Sequence, residues 1–177
     1  MIQNNRRQFL SASSALFASA ALSGTVRAAE VSGYQLGIQL YSLRGFDVTT
    51  ALNHAAKLGF QQVEFYGGML ATSSSKEDVQ AIQKQVADLG MSISAHGVNR
   101  FTKDAKANRQ IFEFAKLLWI PTLTADPDPD AFESLNGLVK EFDIRVAIHN
   151  HGPRHSYSKA VDVLTAIDKR SEEHTSE

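Results

Sequence analysis

Short apolar runs alternate with helical stripes along most of the chain, and glycine or proline marks nearly every junction. The first run is residues 35–41, Gln-Leu-Gly-Ile-Gln-Leu-Tyr, which leaves through Ser42, Leu43, Arg44 and Gly45. Asp47 is placed to cap a helix that carries Val48, Leu52, Ala55 and Leu58 at spacings of three and four, with Gly59 as its stop. Residues 62–66, Gln-Val-Glu-Phe-Tyr, form the next run and end at Gly67 and Gly68. The cycle then repeats. Val79, Ile82, Val86 and Leu89 make a stripe stopped by Gly90, and residues 91–96 form a third strand ended by Gly97. Ile111, Phe114, Ala115 and Leu118 make the next stripe, closed by Pro121, and residues 122–125 form a short strand. Phe132, Leu135, Leu138, Val139 and Phe142 lead to a fifth strand, and Ser158 opens a helix with Val161, Leu164 and Ile167. A β/α repeat of roughly 25 to 30 residues requires a parallel sheet with helical crossovers. The strands read as nearly all apolar, the pattern of a sheet covered on both faces. Two α/β architectures satisfy this pattern, a doubly wound sheet and a (β/α)8 barrel. The residues after the first strand are not a glycine-rich phosphate loop, which argues against a nucleotide cofactor.

The fifth strand is chemically the most specific. Arg145, Val146, Ala147 and Ile148 run into His149, Asn150, His151, Gly152 and Pro153. Side chains at i and i+2 of a strand share a face, so a strand reaching His151 would point both imidazoles the same way. That end of a parallel sheet gathers functional residues. Neutral imidazole is a good ligand for borderline divalent metals. With no cysteine among 177 residues, any metal site must use His, Asp, Glu or water. The formal net charge of -1 gives no electrostatic footprint for nucleic acid.

The N-terminus has the layout of a bacterial export signal. Arg6 and Arg7 precede Phe9 and Leu10, an Ala- and Ser-rich stretch follows over residues 12–22, and Val26-Arg27-Ala28 offers a cleavage site. The paired arginines point to the twin-arginine route and a periplasmic protein. The stretch is too short and too weakly apolar for a stable membrane span. Residues 1–28 are therefore set apart as a signal peptide, and residues 29–168 as the folded part.

Gly37-Ile38-Gln39-Leu40-Tyr41-Ser42-Leu43-Arg44 and residues 55–66, Ala-Ala-Lys-Leu-Gly-Phe-Gln-Gln-Val-Glu-Phe-Tyr, carry a resemblance, with Ser94-Ala95-His96-Gly97 and Ile148-His149-Asn150-His151-Gly152. Over residues 35–168 the chain resembles the sugar phosphate isomerase/epimerase family of the xylose-isomerase-like TIM barrel superfamily. That family also contains inosose dehydratases and 3-keto-sugar-processing members. The resemblance implies a (β/α)8 barrel, of which the chain holds five or so N-terminal βα units. Residues 169–177, Lys-Arg-Ser-Glu-Glu-His-Thr-Ser-Glu, have no strand character and read as a non-native or disordered tail, so the chain is expected to be truncated. Such a piece would leave open strand edges and be poorly stable, aggregation-prone or inactive.

The resemblance further implies a divalent metal (Mn, Zn, Mg or Co) held at strand ends of the barrel's second half, with one ligand from the fifth strand. His149 stands where many of the family's isomerases have Glu, which points toward dehydratase or lyase-like chemistry on keto sugars. His151 is a second ligand, a substrate contact or an acid/base. Glu64 faces the barrel interior if Val63 and Phe65 face the helices, as a sugar-hydroxyl acceptor or the partner of Arg44. His96 reaches a sugar hydroxyl or bonds a loop carbonyl. Tyr41, Arg44 and Asn99 are further pocket candidates. Asp126, Asp128 and Asp130 are turn and cap residues, and Trp119 is expected to pack at a helix–strand junction. The expected ligand is a small sugar or keto sugar. The rival functions are a non-catalytic or vestigial sugar-binding barrel and an endonuclease IV-like phosphodiesterase.

Overall fold

The computed structural model describes residues 34–153 and 155–172. The expected export signal and the last five residues of the expected tail lie outside this range. Five strands run in parallel: β1 Gly37–Gln39, β2 Gln62–Phe65, β3 Ser92–Phe101, β4 Thr122–Pro127 and β5 Arg145–Ile148. Between and after them come α1 Val48–Lys57, α2 Lys76–Asp88, α3 Ala105–Leu118, α4 Phe132–Phe142 and α5 Ala160–Glu172. The strand order is β1-β2-β3-β4-β5, the order of the sequence. Right-handed crossovers between strands laid down in sequence order put every helix on one face. A doubly wound sheet reverses its order at a switch point and covers both faces. The order therefore selects the N-terminal part of a TIM barrel.

Local chemistry sets the element ends. Asp47 accepts from the Thr50 backbone N–H at 2.9 Å, Ser75 Oγ from Asp78 N–H at 3.1 Å, and Asp104 from the N–H groups of Lys106 and Ala107 at 3.0 and 3.1 Å. These caps satisfy amides that a helix start leaves bare. Gly59 and Gly90 take positive φ just past α1 and α2, where a glycine carries no Cβ penalty. Trp119 and Asp143 hold the same left-handed conformation without being glycine. Trp119 was expected to pack at the junction; it is 86% exposed, because the left-handed cap turns its indole off the end of α3.

The core lies between the sheet and the helices. Val63 and Phe65 of β2, Phe101 of β3, and Leu123 and Ala125 of β4 are fully buried against Leu52, Val79, Phe112 and Ala115 of the helices. The other face is not apolar, which corrects the sequence reading. Gln62 and Glu64 of β2, and Thr122 and Thr124 of β4, alternate with the core residues and are only half-buried. The apolar positions are those of one face, and the polar ones line what is the interior of a barrel. β1 is shorter than expected, since Leu40–Leu43 closes into a 3-10 turn, and β3 is longer, running through Gly97 to Phe101.

Candidate functional site

Four of the five strands deliver sequence-predicted residues to the C-terminal edge of the sheet or just short of it. Glu64 is the best defined. Its neighbours Val63 and Phe65 face the helices, so Glu64 faces the interior, as the alternation predicts. Its Oε1 accepts from Gln39 Nε2 at 3.1 Å and from Thr124 Oγ1 at 2.6 Å. These two donors, from β1 and β4, take the place of the expected Arg44. Arg44 instead lies over the Tyr41 ring, with Cζ 4.4 Å from its centroid, and donates to the Tyr41 carbonyl at 3.0 Å. Tyr41 meets Tyr66 edge to face at 5.3 Å. Tyr41, Arg44 and Tyr66 thus form an amphipathic rim after β1 and β2.

His96 takes the other direction. Val63 pairs with Ile93, but Glu64 pairs with Ala95, so β3 carries one extra residue at Ser94. A one-residue bulge reverses which side chains face which side. His96 consequently pairs with the buried Phe65 and Leu123 and turns into the helix-facing core. Its ring meets Phe114 of α3 at 5.0 Å, and Nε2 donates to the Leu70 carbonyl at 2.8 Å. Of the two roles open to His96, the structure shows the bond to a loop carbonyl. Nδ1 is buried with no hydrogen-bond partner among the described residues, and burial pushes the imidazole pKa below its ordinary value. Asn99 is also structural: it pairs with buried Ala125, and its Nδ2 donates to the carbonyls of His96 at 2.9 Å and Thr124 at 3.3 Å.

β5 ends at Ile148, short of the imidazole pair, although His149 N–H still donates to the Ala125 carbonyl at 2.7 Å. The rings of His149 and His151 are nonetheless adjacent, with centroids 4.6 Å apart, and His155 stands 4.6 Å beyond His151. Among the described residues, no group of three His, Asp or Glu side chains is arranged to hold a metal ion. Imidazole nitrogen is a donor that suits a borderline divalent cation, but these rings are not arranged as a ligand set. Asp128 stands at the N-cap of the 3-10 turn Pro129–Ala131, as expected, and its carbonyl accepts from the Ala131 N–H at 3.0 Å; its side chain caps no amide and is instead bridged by Arg100, in close contact, to Asp126, 3.3 Å from the guanidinium. Gln39, Thr124 and His155 escaped the sequence reading. A Gln within an apolar strand and a Thr alternating with Leu and Ala were the available signals.

No family model matches the chain, and no curated protein matches it. Solved structures do. A xylose isomerase domain containing protein from Salmonella typhimurium matches with a TM-score of 0.62 and 18% identity, over 77% of this chain and 57% of that one. A D-psicose 3-epimerase, crystallised in the presence of D-fructose, matches with a TM-score of 0.60 and 17% identity, over 77% and 60%. A sugar phosphate isomerase/epimerase from Parabacteroides distasonis matches with a TM-score of 0.51 and 17% identity, over 80% and 65%. The chain shares with them the fold of the N-terminal part of a TIM barrel. It spans 57% to 65% of the length of these structures. Among the described residues, no helix is long and apolar enough to cross a membrane.

Proposed function

We propose that the chain forms the first part of a sugar isomerase/epimerase-like site that works on a sugar or keto sugar by divalent-metal-assisted proton transfer. Dehydratase or lyase-type chemistry on a keto sugar is the variant that His149 favours. The observation that carries this reading is Glu64, a carboxylate fixed on the interior face by Gln39 and Thr124. Both donors land on Oε1, and no hydrogen bond to Oε2 is found among the described residues, which leaves that oxygen to a ligand. A carboxylate so placed accepts a sugar hydroxyl or takes the proton from the carbon beside a carbonyl. Solved neighbours that include an epimerase and an isomerase/epimerase lend support.

A divalent ion at this edge would polarise the sugar carbonyl. His149 would hold it, and His151 is either its second holder or the acid that returns the proton. Tyr41 and Arg44 offer an aromatic face and a cation at the rim. His96 and Asn99 support the wall from the core side. In this reading the chain is exported to the periplasm by its twin-arginine signal.

The test is a titration of the full chain with D-psicose in the presence of Mn2+. Saturable binding that falls about tenfold in Glu64→Gln, the loss of a charge-assisted hydrogen bond, is the expected result. Binding that Glu64→Gln leaves unchanged contradicts it.

A further inference from the structure

The sheet has two open edges, and apolar side chains stay exposed at both. At β5 the Arg145 N–H donates to the Pro121 carbonyl at 3.0 Å and the His149 N–H to the Ala125 carbonyl at 2.7 Å. Successive strand residues turn their backbone groups to opposite sides, so Arg145, Ala147 and His149 serve β4, while Val146 and Ile148 present theirs to the open side. Their side chains register with buried Leu123 and Ala125 and so face the helices, where they line an apolar groove with Val163 and Ile167 of α5. α5 buries none of its described side chains, and Leu164 is 58% exposed. At β1 the Leu36 carbonyl accepts from the N–H groups of Gln61 and Gln62 at 2.9 and 3.1 Å. Leu36 and Ile38 thus serve β2, and Gly37 and Gln39 present their backbone groups outward. Gln39 turns its side chain to the interior, onto Glu64, so Leu36 and Ile38 face the helices. Tyr34, Leu36, Phe46 and Leu58, around β1 and α1, are exposed.

We propose that a second copy of this chain covers both edges, with β1 of each copy pairing in parallel with β5 of the other and α1 lying beside α5. A two-fold axis along the strands makes the two seams parallel and identical, the self-complementary arrangement of a closed dimer. The backbone fits such a seam. In a parallel ladder a residue bonds the neighbours of the one it faces, as Arg145, opposite Thr122, bonds Pro121. A Val146 or Ile148 that bonds Gly37 and Gln39 therefore stands opposite Ile38. Apolar side chains then meet apolar ones on the helix side, and the polar face stays inside. The bare residues of α5 and those around β1 cover each other. An antiparallel β5–β5 contact would leave the β1 end bare, so the β1–β5 seam is the favoured one. The two polar faces that carry Glu64 enclose one interior, so each copy walls the other's site. The pairing stands independently of the sugar reading.

The experiment is sedimentation equilibrium of the full chain and of its Leu36→Lys and Leu164→Lys variants. The expected mass is twice the 19.4 kDa of one chain. Either substitution carries an unpaired ammonium into a seam, so each variant alone should fall to the mass of one chain. Both leucines are exposed in the single copy, so the far-UV circular dichroism should be unchanged. Mixed in equal amounts, the two variants should form dimers again, because one β1–β5 seam then contains neither substitution. That rescue is particular to β1–β5 pairing; a β5–β5 dimer would survive Leu36→Lys on its own. A single-chain mass for the unsubstituted chain at every concentration overturns the proposal and leaves the edges to a different polypeptide. A dimer that survives either substitution, or a mixture that stays at single-chain mass, overturns it as well.

Discussion

Thr124 Oγ1 donates to Glu64 Oε1 at 2.6 Å, joining β4 to β2 across β3. The two side chains meet over the intervening strand because β3 presents Gly97 there. A Cβ on Gly97 would fall inside the contact shell of both Thr124 Oγ1 and the Thr124 carbonyl oxygen. The glycine is therefore what lets the interior carboxylate be held from two sides.

Gly97→Ala should be severely destabilising. The clash is partly with backbone, which cannot swing aside as a side chain tip can. Overpacking of this kind costs about 1–3 kcal/mol and occasionally more, and the upper end is expected here. The denaturant midpoint of the full chain checks it; a loss below about 0.5 kcal/mol would mean that β3 shifts freely past Thr124.

His96 should make stability depend on pH. Its folded pKa lies below the ordinary 6.5, chiefly through burial, so above that value the imidazole is neutral in both states. As pH falls below 6.5 the unfolded chain takes up a proton that the folded chain refuses. Stability is then lost at up to about 1.4 kcal/mol per pH unit until the folded pKa is reached. Unfolding measured between pH 7.5 and 5 should show this slope, and His96→Gln should flatten it. An equal slope in both proteins would assign the proton elsewhere.

Trp119→Gly should stabilise the chain. Trp119 holds φ at 58° past the end of α3 and is 86% exposed, so the substitution relieves left-handed strain and gives up little burial. A gain of about 0.5–1 kcal/mol is expected after the added flexibility of glycine in the unfolded chain is counted. A thermal melt shifted down instead would show that the indole contributes packing.

Much of the fold was legible because its signals are local. Asp47, Gly59 and Gly90 mark helix ends by their own chemistry, and the apolar stripes lie where the core is. Glu64 was legible because Val63 and Phe65 flank it. What failed depended on register. Gly97 looks like a strand end but is a close-approach point inside β3, and the extra residue at Ser94 turns His96 from the interior to the core. His155 could not be grouped with His149 and His151, since a loop tied to β4 at His149 and Tyr157 brings it back. Thr124 could not be tied to Glu64 from sixty residues away.

In the proposed function a divalent ion and the fixed Glu64 carboxylate together read a keto sugar. The most direct measurement is D-psicose binding to the full chain with Mn2+ and again with excess chelator. Saturable binding is expected with Mn2+ and is expected to be lost with chelator. Equal binding under both conditions would contradict it and make the chain a metal-free sugar-binding module.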